Sequence, residues 1–220
     1  MEIVALKKIK LDVEKNGFPV TCLREIHTLM ASNHPNIVKL HEIVTTPSFS
    51  SVFMVMEYVE HDLKTLLDNM ASAFQIGEIK TIMLQLLSAI DFLHSNWIVH
   101  RDLKTSNLLM NNRGQVKVAD FGLARSFGSP LGRMTQLVVT LWYRAPELLL
   151  GETKYNIAID MWSIGCIFAE LLNNDPLFKG RGEMDQLAKI IALLGTPDES
   201  RWPGLSSLPL TKTINLIKKP

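Results

Sequence analysis

Two short strings hold most of the reactive side chains in this sequence: IVHRDLKTSNLLM at 98–110 and VKVADFGLAR at 116–125. Each sets polar residues between apolar, strand-like flanks, so the polar residues belong on loops joined to a pair of short strands. Asp102, Lys104, Asn107 and Asp120 can then converge. Two carboxylates, an amide and an ammonium at one place suit a divalent cation and a polyphosphate. Hard oxygen ligands take Mg2+ and leave part of its shell to water and to the substrate's phosphates. One D-x-K or one H-R-D, taken alone, is more often an ordinary surface loop.

The amino end adds another cation. In MEIVALKKIK, strand alternation puts Ile3, Ala5, Lys7 and Ile9 on one face and Val4, Leu6, Lys8 and Lys10 on the other. Lys8 and Lys10 read as a solvated strand end, whereas Lys7 interrupts an otherwise apolar face.

These residues need elements to position them. After the opening strand, the turn NGF leads into PVTCLREIHTLMAS, where Pro19 suits a first helical turn and Leu23, Ile26, Leu29 and Met30 give one apolar side. IVKLHEIV (37–44) and SVFMVMEY (51–58) read as strands on either side of a polar loop containing Pro47. From about residue 60 the texture turns helical. DLKTLLDNM is a short amphipathic piece, and 78–95 sets Ile79, Ile82, Leu86, Leu87, Ile90 and Leu93 at helical spacing. Residues 97–147 have little helical period and clustered Gly and Pro, and a run of that kind inside a compact domain is usually functional. A helix at 160–172, apolar nearly all round, reads as a central core element. Another at 183–194 carries Met184, Leu187, Ile190, Ile191 and Leu194. The result is an α+β chain in two lobes, a small sheet with one helix over 1–58 and a larger helical body over 59–220.

The totals fit that picture. A chain of 220 residues, 47% hydrophobic and 20% charged, is of ordinary globular composition. A net charge of +1 lacks the basic excess of a nucleic-acid-binding face, so no direct nucleic-acid partner is expected. Cys22 and Cys166, far apart and without a C-x-x-C, read as reduced thiols of a cytosolic or nuclear protein. Met1 leads into charged strand residues rather than a signal segment, and the apolar stretch 161–172 is too short to span a bilayer, so no membrane association is expected.

The strings occur in a fixed order. H-R-D-L-x-x-x-N, then D-F-G, then Ala145-Pro146-Glu147, with Val4-Ala5-Leu6-Lys7 ahead of them, resemble the protein-kinase signature set. PVTCLRE (19–25), MVMEYVEHDLK (54–64), VVTLWYRAPELLLG (138–151) and DMWSIGCIFAELL (160–172) are similar to the cyclin-dependent kinases. The helix string resembles the PITSLRE type, with Val20 for Ile and Cys22 for Ser, and HRDLKTSN, FGSPL and LGTPDESRWPG point to the same subgroup. The resemblance runs over about residues 2–210. It implies a protein-kinase-like two-lobed fold, with a small antiparallel-sheet N-lobe and a mainly helical C-lobe. It also implies a nuclear or cytoplasmic location, and work in cell-cycle, transcription or RNA-processing control.

The resemblance implies roles residue by residue. Such kinases transfer a phosphoryl group by positioning and charge neutralisation, with ATP and Mg2+ as cofactors. Asp102 would orient the substrate hydroxyl, Lys104 would contact the moving γ-phosphate, and Asn107 and Asp120 would hold Mg2+. Lys7 would contact the α- and β-phosphates and pair with Glu25. An exposed lysine–glutamate pair contributes only about 0–1 kcal/mol, so a phosphate ligand is the better reason for Lys7 on that face. Ala5 and Leu109 would sandwich the adenine, the backbone of Glu57 and Val59 would bind its edge, and Met56 would be the gatekeeper. Thr135 would be the activating phosphosite, held by Arg24, Arg101 and Arg125, and a phosphate there would bring about 1.5–2 negative charges. Val139 and Arg144 would shape a preference for proline after the phosphorylated residue, and the 19–25 helix would face a cyclin, with protein substrates as further partners.

In that family two strands and a glycine-rich loop precede the V-A-x-K strand, which here starts at residue 3. Further helices follow in the C-lobe, one with an arginine for the A-P-E glutamate. The N-lobe is therefore expected to lack its first two strands, the C-lobe its last helices, and Glu147 its partner. GSPLG (128–132), GETK (151–154) and GRGE (180–183) read as turn glycines rather than as a substitute phosphate loop. Two functions follow: an ATP-dependent, cyclin-associated serine/threonine kinase, or a catalytically impaired short form that occupies a cyclin or a substrate.

Overall fold

The computed structural model describes residues 3–9, 20–46, 51–128 and 139–212. The first elements are β1 (Val4–Ile9), α1 (Val20–Ala31), β2 (Leu40–Thr45) and β3 (Val52–Glu57). Then come β4 (His61–Asp62), α2 (Leu63–Asn69), α3 (Ile76–Ser95), β5 (Ile98–Val99), β6 (Leu108–Met110), β7 (Val116–Val118) and β8 (Arg125–Ser126). The last helices are α4 (Pro146–Leu149), α5 (Ala158–Asn173) and α6 (Glu183–Leu194).

β1, β3 and β2 form an antiparallel sheet in that order. β3 is central and buries Val52, Met54, Val55 and Met56 in succession, which is why its sequence shows no alternation. β1 keeps the face division read from sequence except at Ile3, which lies ahead of the strand and is 74% exposed. Ile9 is buried and Ala5 half-buried, while Val4, Leu6 and Lys8 are exposed. The Lys7 side chain remains 43% exposed, because its ammonium reaches to Glu25 and Asp120 and not into the apolar core.

Two expectations for this layer are corrected. α1 turns Glu25, Ile26, Thr28 and Leu29 inward, whereas Leu23 and Met30 are 52% and 72% exposed. Ile26 and Leu29 face inward as read, but the inward stripe also contains a glutamate, so counting apolar residues wrongly adds Leu23 and Met30 to it. The 37–44 run is also not one strand, since β2 begins only at Leu40. Ile37 bridges in parallel to Val118. The Val38 N–H donates to the Val118 carbonyl at 3.0 Å, and the Val118 N–H to that of Asn36 at 2.8 Å. Asn36 Nδ2 adds bonds to the Val116 carbonyl at 2.8 Å and to Gln85 Oε1 at 2.9 Å. This seam fastens the sheet layer to the helical body.

The body is built on α3 and α5. α3 starts in a capping box between Gln75 and Glu78 and buries Ile79, Ile82, Leu86, Ala89, Ile90 and Leu93, leaving Leu87 partly outside. α5 is less uniformly apolar than its sequence reads. It buries Asp160 and Glu170 among its apolar residues and leaves Met161, Phe168 and Leu172 exposed on its open side. α6 buries Leu187, Ile190 and Ile191, with Met184 and Leu194 exposed. Both cysteines are free, and burial pushes the Cys166 thiol up to about 12. The non-helical stretch after residue 97 is organised by the ladders β4-β6-β7 and β5-β8. Among the described residues no helix is long and apolar enough to cross a membrane.

Candidate active site

The catalytic-loop candidates are placed by short-range geometry on either side of β6. After β5 the chain passes through His100, Arg101 and Asp102, makes a 3₁₀ turn over Thr105–Asn107, and enters β6. β6 pairs with β7 in the register Leu108↔Val118, Leu109↔Lys117 and Met110↔Val116, which returns the chain to Asp120. The Ala119 N–H then donates to the Asn107 carbonyl at 2.9 Å, so Asn107 and Asp120 are neighbours. Asp102, Lys104 and Asn107 meet at one point, and Asp120 follows the Ala119 that bonds to Asn107.

Asp102 is the hub. Its Oδ1 accepts from Thr140 Oγ1 at 2.9 Å and from the Thr140 N–H at 3.2 Å. Its Oδ2 accepts from Asn107 Nδ2 at 3.1 Å and lies 3.0 Å from Lys104 Nζ. Lys104 also donates to Thr140 Oγ1 at 3.0 Å. Asn107 Nδ2 makes a second bond to the Asp102 carbonyl at 2.7 Å, so the amide NH2 faces Asp102 and its oxygen is the acceptor left over.

The cleft side is ionic. Lys7 Nζ lies 2.6 Å from Glu25 Oε1 and 3.1 Å from Asp120 Oδ1. Burial works against the ammonium, but the two carboxylates outweigh it and hold the Lys7 pKa above its ordinary value. Asp120 shows the converse: burial would raise it, yet Lys7 holds its carboxyl below the usual range. An ionised Asp120 and the Asn107 amide oxygen are two hard ligands side by side, which fits a Mg2+ that keeps waters and substrate phosphates. No cluster of three or more His, Cys, Asp or Glu suited to a metal occurs among the described residues, so a closed all-protein cage does not fit.

Under the loop sits α5. Asp160, 1% exposed, accepts from the N–H groups of His100 and Arg101 at 2.9 Å each and lies 2.8 Å from His94 Nε2. Burial lowers the His100 pKa, so its imidazole is neutral. Its partners assign the tautomer: Nε2 donates to the Ala119 carbonyl at 3.1 Å, and Nδ1 accepts from the Asp102 N–H at 3.3 Å. At the far end of α5, Glu170 accepts from Tyr143 Oη at 2.7 Å and Thr105 Oγ1 at 3.2 Å. Asp160, Glu170, Tyr143 and Thr140 escaped the sequence reading. The available signal was two carboxylates inside an otherwise apolar helix, which must find donors if buried.

The remaining candidates are placed as follows. Ala5 lies opposite Met56 across β1 and β3, and Leu109 lies opposite Lys117, both half-buried against the core. Glu57 ends β3 and Val59 follows it, half-buried. Arg24 and Arg125 line one cleft of about 340 Å³ together with His27. Arg101 is buried outside that lining, donating through Nε to the Leu123 carbonyl at 2.6 Å and through Nη1 to Tyr155 Oη at 2.8 Å. Thr135 lies outside the described residues. Arg144 donates through Nε and Nη2 to the Val139 carbonyl at 3.2 and 3.0 Å. Arg101, Asp120 and Val139 all have φ between 61° and 67°. A β-branched residue at such a φ is a true outlier, and strain of this kind gathers at functional sites. A separate cleft of about 460 Å³ beside Glu147 and Trp202 holds none of the groups needed for phosphoryl chemistry. The chemistry marks the site better than concavity does.

The family model described as protein kinase domain matches residues 1–219. The chain is 58% identical over 219 residues to cyclin-dependent kinase G-2 of Oryza sativa subsp. japonica, covering all of this chain and 31% of that protein. It is 56% identical over 219 residues to human cyclin-dependent kinase 11B, covering 28% of it, and 55% identical over 223 residues to cyclin-dependent kinase 11.1 of Caenorhabditis elegans, covering 31%. The chain thus spans less than a third of the length of these three relatives. With the Asp102 hub, the Lys7–Glu25 pair and a family match over nearly its whole length, the chain belongs to the protein kinases.

Proposed function

We propose that this chain carries the phosphoryl-transfer site of an ATP-dependent, cyclin-associated serine/threonine kinase that favours Ser or Thr followed by proline. The observation that carries the reading is the knot of Asp102, Lys104, Asn107 and Thr140 set beside the Lys7–Glu25–Asp120 ion network. Bound Mg2+ would neutralise phosphate charge, with Asn107 and Asp120 as its protein ligands. Lys7, held by two carboxylates, would contact the α- and β-phosphates. Asp102 orients the substrate hydroxyl and accepts its proton at the carboxylate, while Lys104 supplies a positive charge beside the transferred group.

Selectivity for proline has a physical basis in Val139. Its carbonyl is already engaged by two guanidinium N–H groups, so it offers a poor acceptor for a substrate backbone N–H. Proline has no N–H to leave unsatisfied. A cyclin partner is supported by the outward side of α1, where Leu23 and Met30 stand 52% and 72% exposed. Arg24 and Arg125, meeting at one cleft, favour an anion there, in keeping with phosphorylation of Thr135.

The test is phosphorylation of a Ser-Pro peptide with Mg-ATP and a cyclin. Asp102→Asn is expected to reduce kcat about 10²–10⁴-fold with little change in nucleotide binding. Cyclin binding without any turnover by the unsubstituted chain would replace the kinase reading with a binding role.

A further inference from the structure

We propose that Lys117 is a positioning residue for the nucleotide: it holds the Glu57 carboxylate from the β7 side and so fixes the backbone edge at Glu57–Val59 that receives the adenine. The inference rests on the kinase reading and deepens it at Lys117, a residue of the 116–125 string to which the family resemblance gives no role.

Lys117 lies at the middle of β7 and is 7% exposed. A buried ammonium is costly unless paired, so the position demands an anion. That anion is Glu57, with Oε1 2.8 Å from Lys117 Nζ. The other carboxylate oxygen accepts the Lys39 N–H at 3.2 Å, and the Glu57 N–H donates to the Lys39 carbonyl at 2.9 Å. A single carboxylate therefore ties the end of β3 to the segment before β2 and to the body. Directly across the ladder from Lys117 is Leu109, and cross-strand partners share a face. The cation thus sits on the face that carries the floor assigned to the adenine, and its partner carries the adenine-binding edge.

Burial is asymmetric within the pair, with the Lys117 side chain 9% exposed and that of Glu57 29%. Once Lys117 is replaced by an apolar residue, the Glu57 carboxylate can turn to water. Its loss should then disturb the placement of the edge more than the folding of the chain.

Lys117→Met, assayed with a cyclin, is expected to raise the KM for Mg-ATP and the Kd of a fluorescent ADP analogue about 5–10-fold, with kcat and the peptide KM within about twofold. Glu57→Gln should behave alike, and the double variant should be no worse than either single one, because the pair acts as a unit. Lys117→Arg should restore most of the affinity. If Lys117→Met proves poorly folded, Glu57→Gln carries the same readout. Unchanged nucleotide affinity in both variants, or a fall in kcat at constant KM, would overturn the inference while leaving the kinase reading intact. A wild-type chain that binds no nucleotide would overturn both.

Discussion

The two ends of α5 each bury a carboxylate under the loop at 100–107, and they do different work. Asp160 and Glu170 are both 1% exposed. They stand about 15 Å apart along the helix. Asp160 is filled by backbone N–H groups, which no substitution at His100 or Arg101 other than proline can remove. It fixes the path of the chain. Glu170 is filled by the hydroxyls of Thr105 and Tyr143, one from the catalytic loop and one from the segment after Thr140. It fixes how two loops sit against each other, through donors that single substitutions can delete. Burial pushes the Glu170 carboxyl up, with both hydroxyl donors opposing, and burial together with the Glu170 bond also raises the Tyr143 phenol. The same functional group yields a fixed support at one end of a helix and an adjustable one at the other.

That contrast can be broken by experiment. Asp160→Ala should have the largest effect, a loss of about 3–5 kcal/mol in urea unfolding, because it strands two buried backbone donors and a histidine. Glu170→Gln should cost less, about 1–3 kcal/mol, since an amide oxygen still accepts from one hydroxyl. If the order of these two losses were reversed, the distinction between path and register would be lost. Thr105→Val, which keeps the Tyr143–Glu170 bond, should cost about 1 kcal/mol and lower kcat more than it changes the KM for ATP in steady-state assays.

A third carboxylate sharpens the comparison because its own backbone N–H opposes burial there without cancelling it. Glu147 is half-buried at the start of α4, makes no ion pair among the described residues, and is pushed up by burial and then by repulsion from Glu152. A carboxyl raised in the folded state favours folding while protonated, and that advantage disappears as pH rises through the folded pKa. Glu147→Gln should therefore raise Tm by about 2 °C at pH 8, with the gain vanishing toward pH 4, in thermal melts across that range.

Much of the site was legible because its chemistry is local. HRDLKTSN and DFG each fit within a few residues, and a three-residue β6–β7 ladder suffices to bring Asn107 beside Asp120. What sequence could not reveal depends on distant partners. Thr140 reaches Asp102 across 38 positions and Glu170 reaches Thr105 across 65. The inward side of α1 was only half legible for a related reason: beside Ile26 and Leu29, a glutamate paired with Lys7 occupies a position that core packing would give to an aliphatic residue. The division of 37–44 was hidden because Ile37 and Val38 look like strand residues yet pair with β7 in the body.

The seam at Asn36–Val38 and the Glu57–Lys117 pair fasten the sheet layer along its β2 and β3 side. β1 is the outer strand on the opposite side of β3 from β2 among the described residues. A page bound at its spine moves most at the outer margin, and Lys7 is written on that margin. Any rocking of the layer about that seam would displace Lys7 more than the strands beside the binding, and so would act first on its 3.1 Å reach to Asp120.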